Sequence, residues 1–381
     1  MRIAFHAPLK APDHPVPSGD REMARLLVAA LRHGGHETSL PSPLRSFARS
    51  PDAAALAALE AASAGEVQRL LAHWQGRGAA EKPELWLTYH LYYKAPDLIG
   101  PAIARALHIP YVLAEASHAP KRNFDGWQPW QAYVEAALAA ADAVFSFTAR
   151  DREGLERLPY VTARLVDLPP FTDAATRAAA GPRTFRLASG TGEPEGSRFR
   201  LLAIAMMRAG DKLRSYLFLA QALALLPGLN WHLGIIGDGP ARPEVEAAFA
   251  GFPPQNITFN GAVPGAEIPA HLATASLLVW PGFGEAYGMV YLEAQAAGVP
   301  VLALDQGGVA STMQAGMTGV LVPRSDPADY AAALTALLDN RAHCREMGAA
   351  ARSFILKERS LPRAAKILDT ALQQALLDYP K

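Results

Sequence analysis

The chain has 381 residues, 36 basic and 36 acidic side chains, and one cysteine. That length exceeds what one hydrophobic core usually serves, so two domains are expected. Zero net charge, spread evenly along the chain, argues against a nucleic-acid binder that works by neutralising phosphates; a lone cysteine excludes a disulfide framework and a cysteine-based metal cluster, and fits a reducing compartment.

Ile3 to His6 reads as a short apolar strand. The prolines at 8, 12, 15 and 17 follow too soon for the apolar stretch of a signal peptide, so none is expected. Asp20 stands where a helix N-cap would, with Met23, Leu26, Leu27, Ala30 and Leu31 at helical spacing behind it. Gly34-Gly35 ends that helix and Glu37 to Leu40 starts a second strand. Further strand-like runs are Leu85 to Thr88, Tyr111 to Ala114 and Ala143 to Phe147, each after a helical stretch. Repeated βα units imply a parallel sheet covered by helices on both faces.

Composition shifts at about residues 172–198, which are rich in Ala, Gly, Thr and Pro and lack apolar periodicity. The βα rhythm then restarts at Arg200 to Ala205, with strands at Leu233 to Ile236, Ile257 to Phe259, Leu277 to Trp280 and Val299 to Ala303. The uncharged run from Ser215 to Gly237 contains Pro227-Gly228, Asn230 and His232. It reads as a buried helix, a turn and a core strand, and no transmembrane segment is expected. The division is therefore an N-terminal domain over 1–180, a linker over 181–198, a second domain over 199–360 and a C-terminal helix in 361–381. That helix carries an apolar stripe of Ala365, Ile367, Leu368, Leu372, Leu376 and Leu377. Two open α/β domains of similar size place ligands at the carboxyl ends of their strands.

The strongest signal is WPGFGEAYGMVYLEAQAAG at 280–298. It follows the strand ASLLVW and opens a helix. Gly282, Gly284 and Gly288 let the backbone turn tightly beside a ligand, and a helix N-terminus suits a diphosphate. Glu285 lies just before the helix and Glu293 eight residues on. Upstream, MMRAGDKLR at 206–214 sets Arg208 and Lys212 four apart after a strand.

This stretch resembles the E-x7-E motif of GT-B-fold retaining glycosyltransferases, most closely the family-4 (glycosyl transferases group 1) proteins. Gly237-Asp238-Gly239-Pro240 resembles that group's G-x-G-P turn. ITFNGAV at 257–263, Gly298-Val299-Pro300-Val301 with Gly307-Gly308, and Thr318 to Val322 resemble its later strands and turns. The resemblance covers nearly the whole second half. It implies a GT-B fold of two Rossmann-like doubly wound parallel sheets. It also implies that Glu285 holds donor-sugar hydroxyls, Glu293 the ribose hydroxyls, and the backbone from Gly284 through Ala286, Tyr287, Gly288 and Met289 the diphosphate. Arg208 and Lys212 would neutralise the leaving group, and Gly261 would lie near the base. Met207 stands where the family more often has glycine.

The first half is less specific. Ser18-Gly19-Asp20 resembles the family's phosphate-approaching loop, with Gly19 as the candidate for close approach. Relatives often carry a histidine at the cleft end of the strand that precedes EASHAPKR at 115–122. His118 lies about two positions beyond that register and Glu115 nearer to it, so both stand as candidates. Lys121 and Arg122 either bind an anion or face water. His90 follows the strand LWLT at a strand end, among Tyr89, Tyr92 and Tyr93; these rings, with Phe124, Trp127 and Trp130, either stack on sugars or pack beneath loops.

The resemblance thus implies a cytoplasmic retaining transferase, at times peripheral at the inner face of the cytoplasmic membrane, as in polysaccharide or lipopolysaccharide synthesis. It would move a sugar from a UDP- or GDP-linked donor to a glycan, lipid-linked or small-molecule acceptor. No cofactor is expected beyond the donor. The absence of Asp-x-Asp points to a metal-independent site. Two alternatives stay open: a non-catalytic nucleotide-sugar binder on this fold, and a GT-B epimerase or phosphorylase.

Overall fold

The computed structural model describes all residues except 17, 119–123, 174–197, 227–229 and 381. The linker expected over 181–198, apart from Arg198, lies outside the described residues, as do Lys121, Arg122 and the Pro227-Gly228 turn. The chain forms two compact units: Met1–Pro169 with Leu361–Lys381, and Pro170–Ser360.

The first unit holds strands β1 (Arg2–His6), β2 (Glu37–Ser39), β3 (Leu85–Leu91), β4 (Tyr111–Ala116), β5 (Ala143–Ser146) and β6 (Arg164–Asp167). They form one sheet in the order β2-β1-β3-β4-β5-β6, all parallel. Its helices are α1 (Gly19–His33), α2 (Ala53–Trp74), α3 (Gly100–Leu107), α4 (Gln128–Ala140), α5 (Ala149–Glu156) and the late α12 (Leu361–Asp378). The runs at β3 to β5 are apolar at most positions because helices cover both sheet faces, and their side chains are buried except for the half-buried His90. The polar strand β6, RLVD, gives no such signal.

Helix α1 begins earlier than its Asp20 cap predicted. Ser18 is the N-cap: its backbone is extended, and its Oγ accepts the Arg21 N–H at 3.2 Å. Asp20 thereby falls in the first turn, where a carboxylate suits the helix dipole and its side chain can bond elsewhere. Helix α12 packs on α1 through Leu361, Ala364, Ala365, Leu368, Leu372 and Ala375. The expected stripe ends too late, since Leu376 and Leu377 are exposed; Ala375 takes their place on the buried face. Below the sheet ends, buried Asp97 accepts from Thr88 Oγ1 at 2.5 Å, the Tyr111 hydroxyl at 2.9 Å, and the Ile99 and Gly100 amides at 3.0 and 2.8 Å. This ties the start of α3 to β3 and β4.

The second unit repeats the architecture with β7 (Phe199–Ile204), β8 (Trp231–Ile236), β9 (Ile257–Phe259), β10 (Leu277–Val279), β11 (Val301–Leu304) and β12 (Gly319–Val322). The order is β12-β11-β10-β7-β8-β9, again parallel. Its helices are α6 (Asp211–Ala224), α7 (Arg242–Phe249), α8 (Ile268–Thr274), α9 (Met289–Ala296), α10 (Pro327–Asp339) and α11 (Arg341–Glu358). The chain leaves β7 towards β8 on one side and reaches β10 on the other. The loops after β7 and β10 therefore flank the topological switch point, where ligands of such sheets bind. In the first unit the corresponding point lies between β1 and β3. Among the described residues no helix is long and apolar enough to cross a membrane.

Candidate active site

The switch point of the second sheet brings two of the expected residues into contact. Lys212, in the first turn of α6, bonds Oε1 of Glu285 in the loop after β10. The indole Nε1 of Trp280 donates to the same oxygen at 3.0 Å. Glu285 is 14% exposed and Lys212 27%, so both reach solvent from a mostly enclosed position. The indole is fully buried. It lies edge-on to Tyr216 at 4.8 Å, and the Tyr291 hydroxyl donates to the Trp280 carbonyl at 3.1 Å.

Close backbone approach shapes this loop. A Cβ on Gly284, where φ is +65°, would sit 2.2 Å from the Asp211 carboxylate, and one on Gly307 would sit 2.4 Å from the Glu285 carbonyl. The turn Gly307-Gly308 thus backs the carboxylate-bearing residue. Helix α9 starts at Met289 rather than near Tyr287, with Gly288 as its N-cap. Glu293 is half-buried in that helix, Ala286 is exposed and Tyr287 is buried. Arg208 is exposed in the loop just before α6. Met207 points into the core. The Gly237 amide bonds the Gly261 carbonyl at 2.8 Å and the Met207 amide bonds the Asp238 carbonyl at 2.9 Å. These bonds join the G-x-G-P turn to the loops after β7 and β9.

The first unit holds a second polar cluster at its strand ends. His90 on β3 and Glu115 on β4 both have left-handed backbones, with φ of 63° and 57°. The pairs Tyr89–Ala114 and Leu91–Ala116 flank them, so the two occupy the same register on adjacent strands. Non-glycine residues seldom adopt this conformation, and its strain concentrates at functional sites. His90 Nδ1 lies 3.1 Å from Asp20 Oδ1, with side chains 17% and 37% exposed. Burial lowers the proton affinity of the imidazole, but Glu115 first, then Asp20 and Asp151, outweigh it and push His90 up to about 9. Burial pushes Glu115 up to about 7 against the pull of His90. Burial would raise Asp20, yet its bond to His90 outweighs that and holds it low. Asp151 is raised by burial, against a hydrogen bond from Thr148.

His118 does not join this cluster through any bond that the structure gives it. Its Nε2 lies 3.1 Å from Glu135 on α4, and its ring stands edge-on to Tyr160. Gly19 is exposed as the first residue of α1, beside Asp20. Trp127 and Trp130 are buried and pack with Leu56, with Tyr93 edge-on to Trp127 at 4.9 Å; Phe124 is exposed. Sequence reading passes over Trp280 and Asp151. Trp280 reads as the last residue of an apolar strand, and Asp151 as an ordinary first-turn acid of α5. Among the described residues no three His, Cys, Asp or Glu side chains gather in a way that could hold a metal ion.

Residues 198–340 match the family model described as Glycosyl transferases group 1. The matched segment lies within the second unit. A D-inositol 3-phosphate glycosyltransferase of Streptomyces avermitilis is 31% identical to the chain over 312 residues, which are 75% of this chain and 63% of that protein. The chain therefore spans less than two thirds of that relative's length. Sucrose-phosphate synthase from Thermosynechococcus elongatus superposes with a TM-score of 0.71 at 18% identity over 99% of each chain. Anabaena HepE in complex with UDP gives 0.71 at 16% identity over 98% of this chain and 100% of that one. With the two six-stranded parallel sheets, these structural likenesses show a GT-B fold.

Proposed function

We propose that the protein is a retaining glycosyltransferase that moves a sugar from a nucleoside-diphosphate sugar to a hydroxyl-bearing acceptor. The observation that carries the reading is the meeting of Lys212, Trp280 and Glu285 at the switch point of the second sheet. A carboxylate fixed by two donors on one oxygen is suited to accept sugar hydroxyls with the other. Lys212 and Arg208 are assigned as the cations for the leaving diphosphate, together with the N-terminus of α9. They supply the charge that a metal would otherwise supply, so the reading is metal-independent. Glu293 is assigned to the ribose. The UDP of the Anabaena structure favours a uridine donor, and GDP is the second choice. The inositol phosphate named for the Streptomyces relative makes a small polyol acceptor the first to try, before a glycan or a lipid-linked sugar. In the first unit, Glu115 and its partner His90 are the groups for the acceptor, in preference to His118, which Glu135 already engages.

The test is turnover of radiolabelled UDP- and GDP-sugars, including slow hydrolysis to free sugar, in wild type and Glu285→Gln. The variant should bind nucleotide normally and lose most turnover, about 100-fold, since a charge-assisted bond in the transition state is removed. Near-normal turnover in the variant refutes the role of Glu285. Nucleotide binding with no turnover in wild type would leave a binding protein. Epimerised or phosphorylated sugar among the products would change the reaction class.

A further inference from the structure

Glu285 receives two hydrogen bonds, and both meet one oxygen. Lys212 Nζ and Trp280 Nε1 share Oε1, and Oε2 accepts no bond from any described residue. The two donors differ in kind. Lys212 is an ammonium on a flexible stem, partly exposed, and it is the cation assigned to the donor diphosphate. A diphosphate carries more charge than one shared carboxylate oxygen, so it competes strongly for that ammonium. Trp280 cannot move in the same way. Its ring is fully buried and set edge-on against Tyr216, and Tyr291 holds its carbonyl. The Lys212 ammonium also lies 5.7 Å from the indole centroid, so one ring meets both members of the ion pair, Lys212 over its face and Glu285 at its N–H edge.

We propose that Trp280 is the positioning residue for Glu285. It keeps Oε1 in place when the donor diphosphate draws Lys212 away, and so leaves Oε2 directed at the sugar. The ion pair between Lys212 and Glu285 then belongs to the donor-free state. Donor binding exchanges the ammonium from carboxylate to phosphate while the indole bond persists. The inference rests on the reading of Glu285 as the donor-sugar ligand.

The test uses the full chain with Trp280→Phe, which keeps an aromatic ring and removes the N–H. Nucleotide affinity should stay within about twofold of wild type, and kcat for transfer or donor hydrolysis should fall about tenfold to a hundredfold, as for the loss of one hydrogen bond to a charged group. Glu285→Gln is measured beside it. Normal turnover in Glu285→Gln refutes the role of Glu285. Impaired turnover there with normal kcat in Trp280→Phe overturns the positioning role alone. A second measurement needs no active variant. In the 15N-labelled wild type, the Trp280 Nε1–H resonance should keep its hydrogen-bonded position when saturating UDP, or GDP if UDP does not bind, is added. It should move in nucleotide-free Glu285→Gln. Loss of the bonded position on adding nucleotide to wild type overturns the proposal even where Trp280→Phe fails to fold.

Discussion

Replacing His90 with Asn tests the charge cluster at the strand ends of the first unit. Asn is the mildest probe because it tolerates the left-handed backbone that His90 adopts, with φ of 63°. The folded imidazole titrates at about 9 against an ordinary value of 6.5. At 1.36 kcal/mol per pH unit, that difference is worth about 3 kcal/mol. A group whose pKa rises on folding stabilises the fold when protonated. The contribution is therefore complete below about pH 6.5 and disappears as pH rises through 9. Glu115 acts in the same direction over a lower window. Raised from 4.5 to about 7, it favours the fold below 4.5, and that help is lost as pH climbs through 7. Asp20, held low by His90, works the other way: its contribution is present above its unfolded value and lost in acid. Urea melts of wild type and His90→Asn at pH 6 and pH 10 read the His90 contribution together with its coupling to Glu115 and Asp20, with pulse proteolysis to assign the first-unit transition, because two units need not unfold together. The gap between the proteins should be about 3 kcal/mol at pH 6 and close to zero at pH 10. An equal gap at both values, or a His90 ring proton that titrates near 6.5, would refute the reasoning.

Lys212→Met should weaken UDP or GDP binding by about tenfold to a hundredfold in isothermal titration, since one charged contact to phosphate is lost; unchanged affinity would remove Lys212 from the donor site. Gly307→Ala should lower kcat as well as melting temperature, by about 1–3 kcal/mol in stability, because its Cβ would lie 2.4 Å from the Glu285 carbonyl at a φ of +58°. A stable, fully active variant would show that the turn does not hold Glu285. Gly100→Ala should destabilise the first unit by several kcal/mol, because its Cβ would lie 2.2 Å from Asp97 Oδ2 and 2.6 Å from the Tyr111 ring. Denaturant melts check this, and a change below about 0.5 kcal/mol would mean the Asp97 network can shift aside.

Patterns that depend on near neighbours were legible in the sequence. Strands at 85–88, 111–114 and 233–236 show as apolar runs because a doubly covered parallel strand needs an apolar side chain on both faces. The two-domain, parallel-sheet architecture followed from the repetition of such runs with helices between them. Strand β6 stayed hidden because an edge strand with one neighbour carries polar residues. The Glu285 loop was visible through its glycines, since tight turns and close approaches restrict residue type locally.

Contacts between distant segments depended on the fold. Lys212 and Glu285 lie 73 residues apart, and only the strand order, with β7 beside β10, sets their loops together. Trp280 reads as the end of a strand until the turn after it carries Glu285 back over the indole edge. His90 and Glu115 are 25 positions apart in the chain, and their common register on β3 and β4 makes them neighbours. The charge state of that pair comes from burial and from carboxylates on α1 and α5, which no local pattern encodes. Residue types and local turns are set along the chain; electrostatic partners are set across it, by which strands the hydrophobic core places side by side.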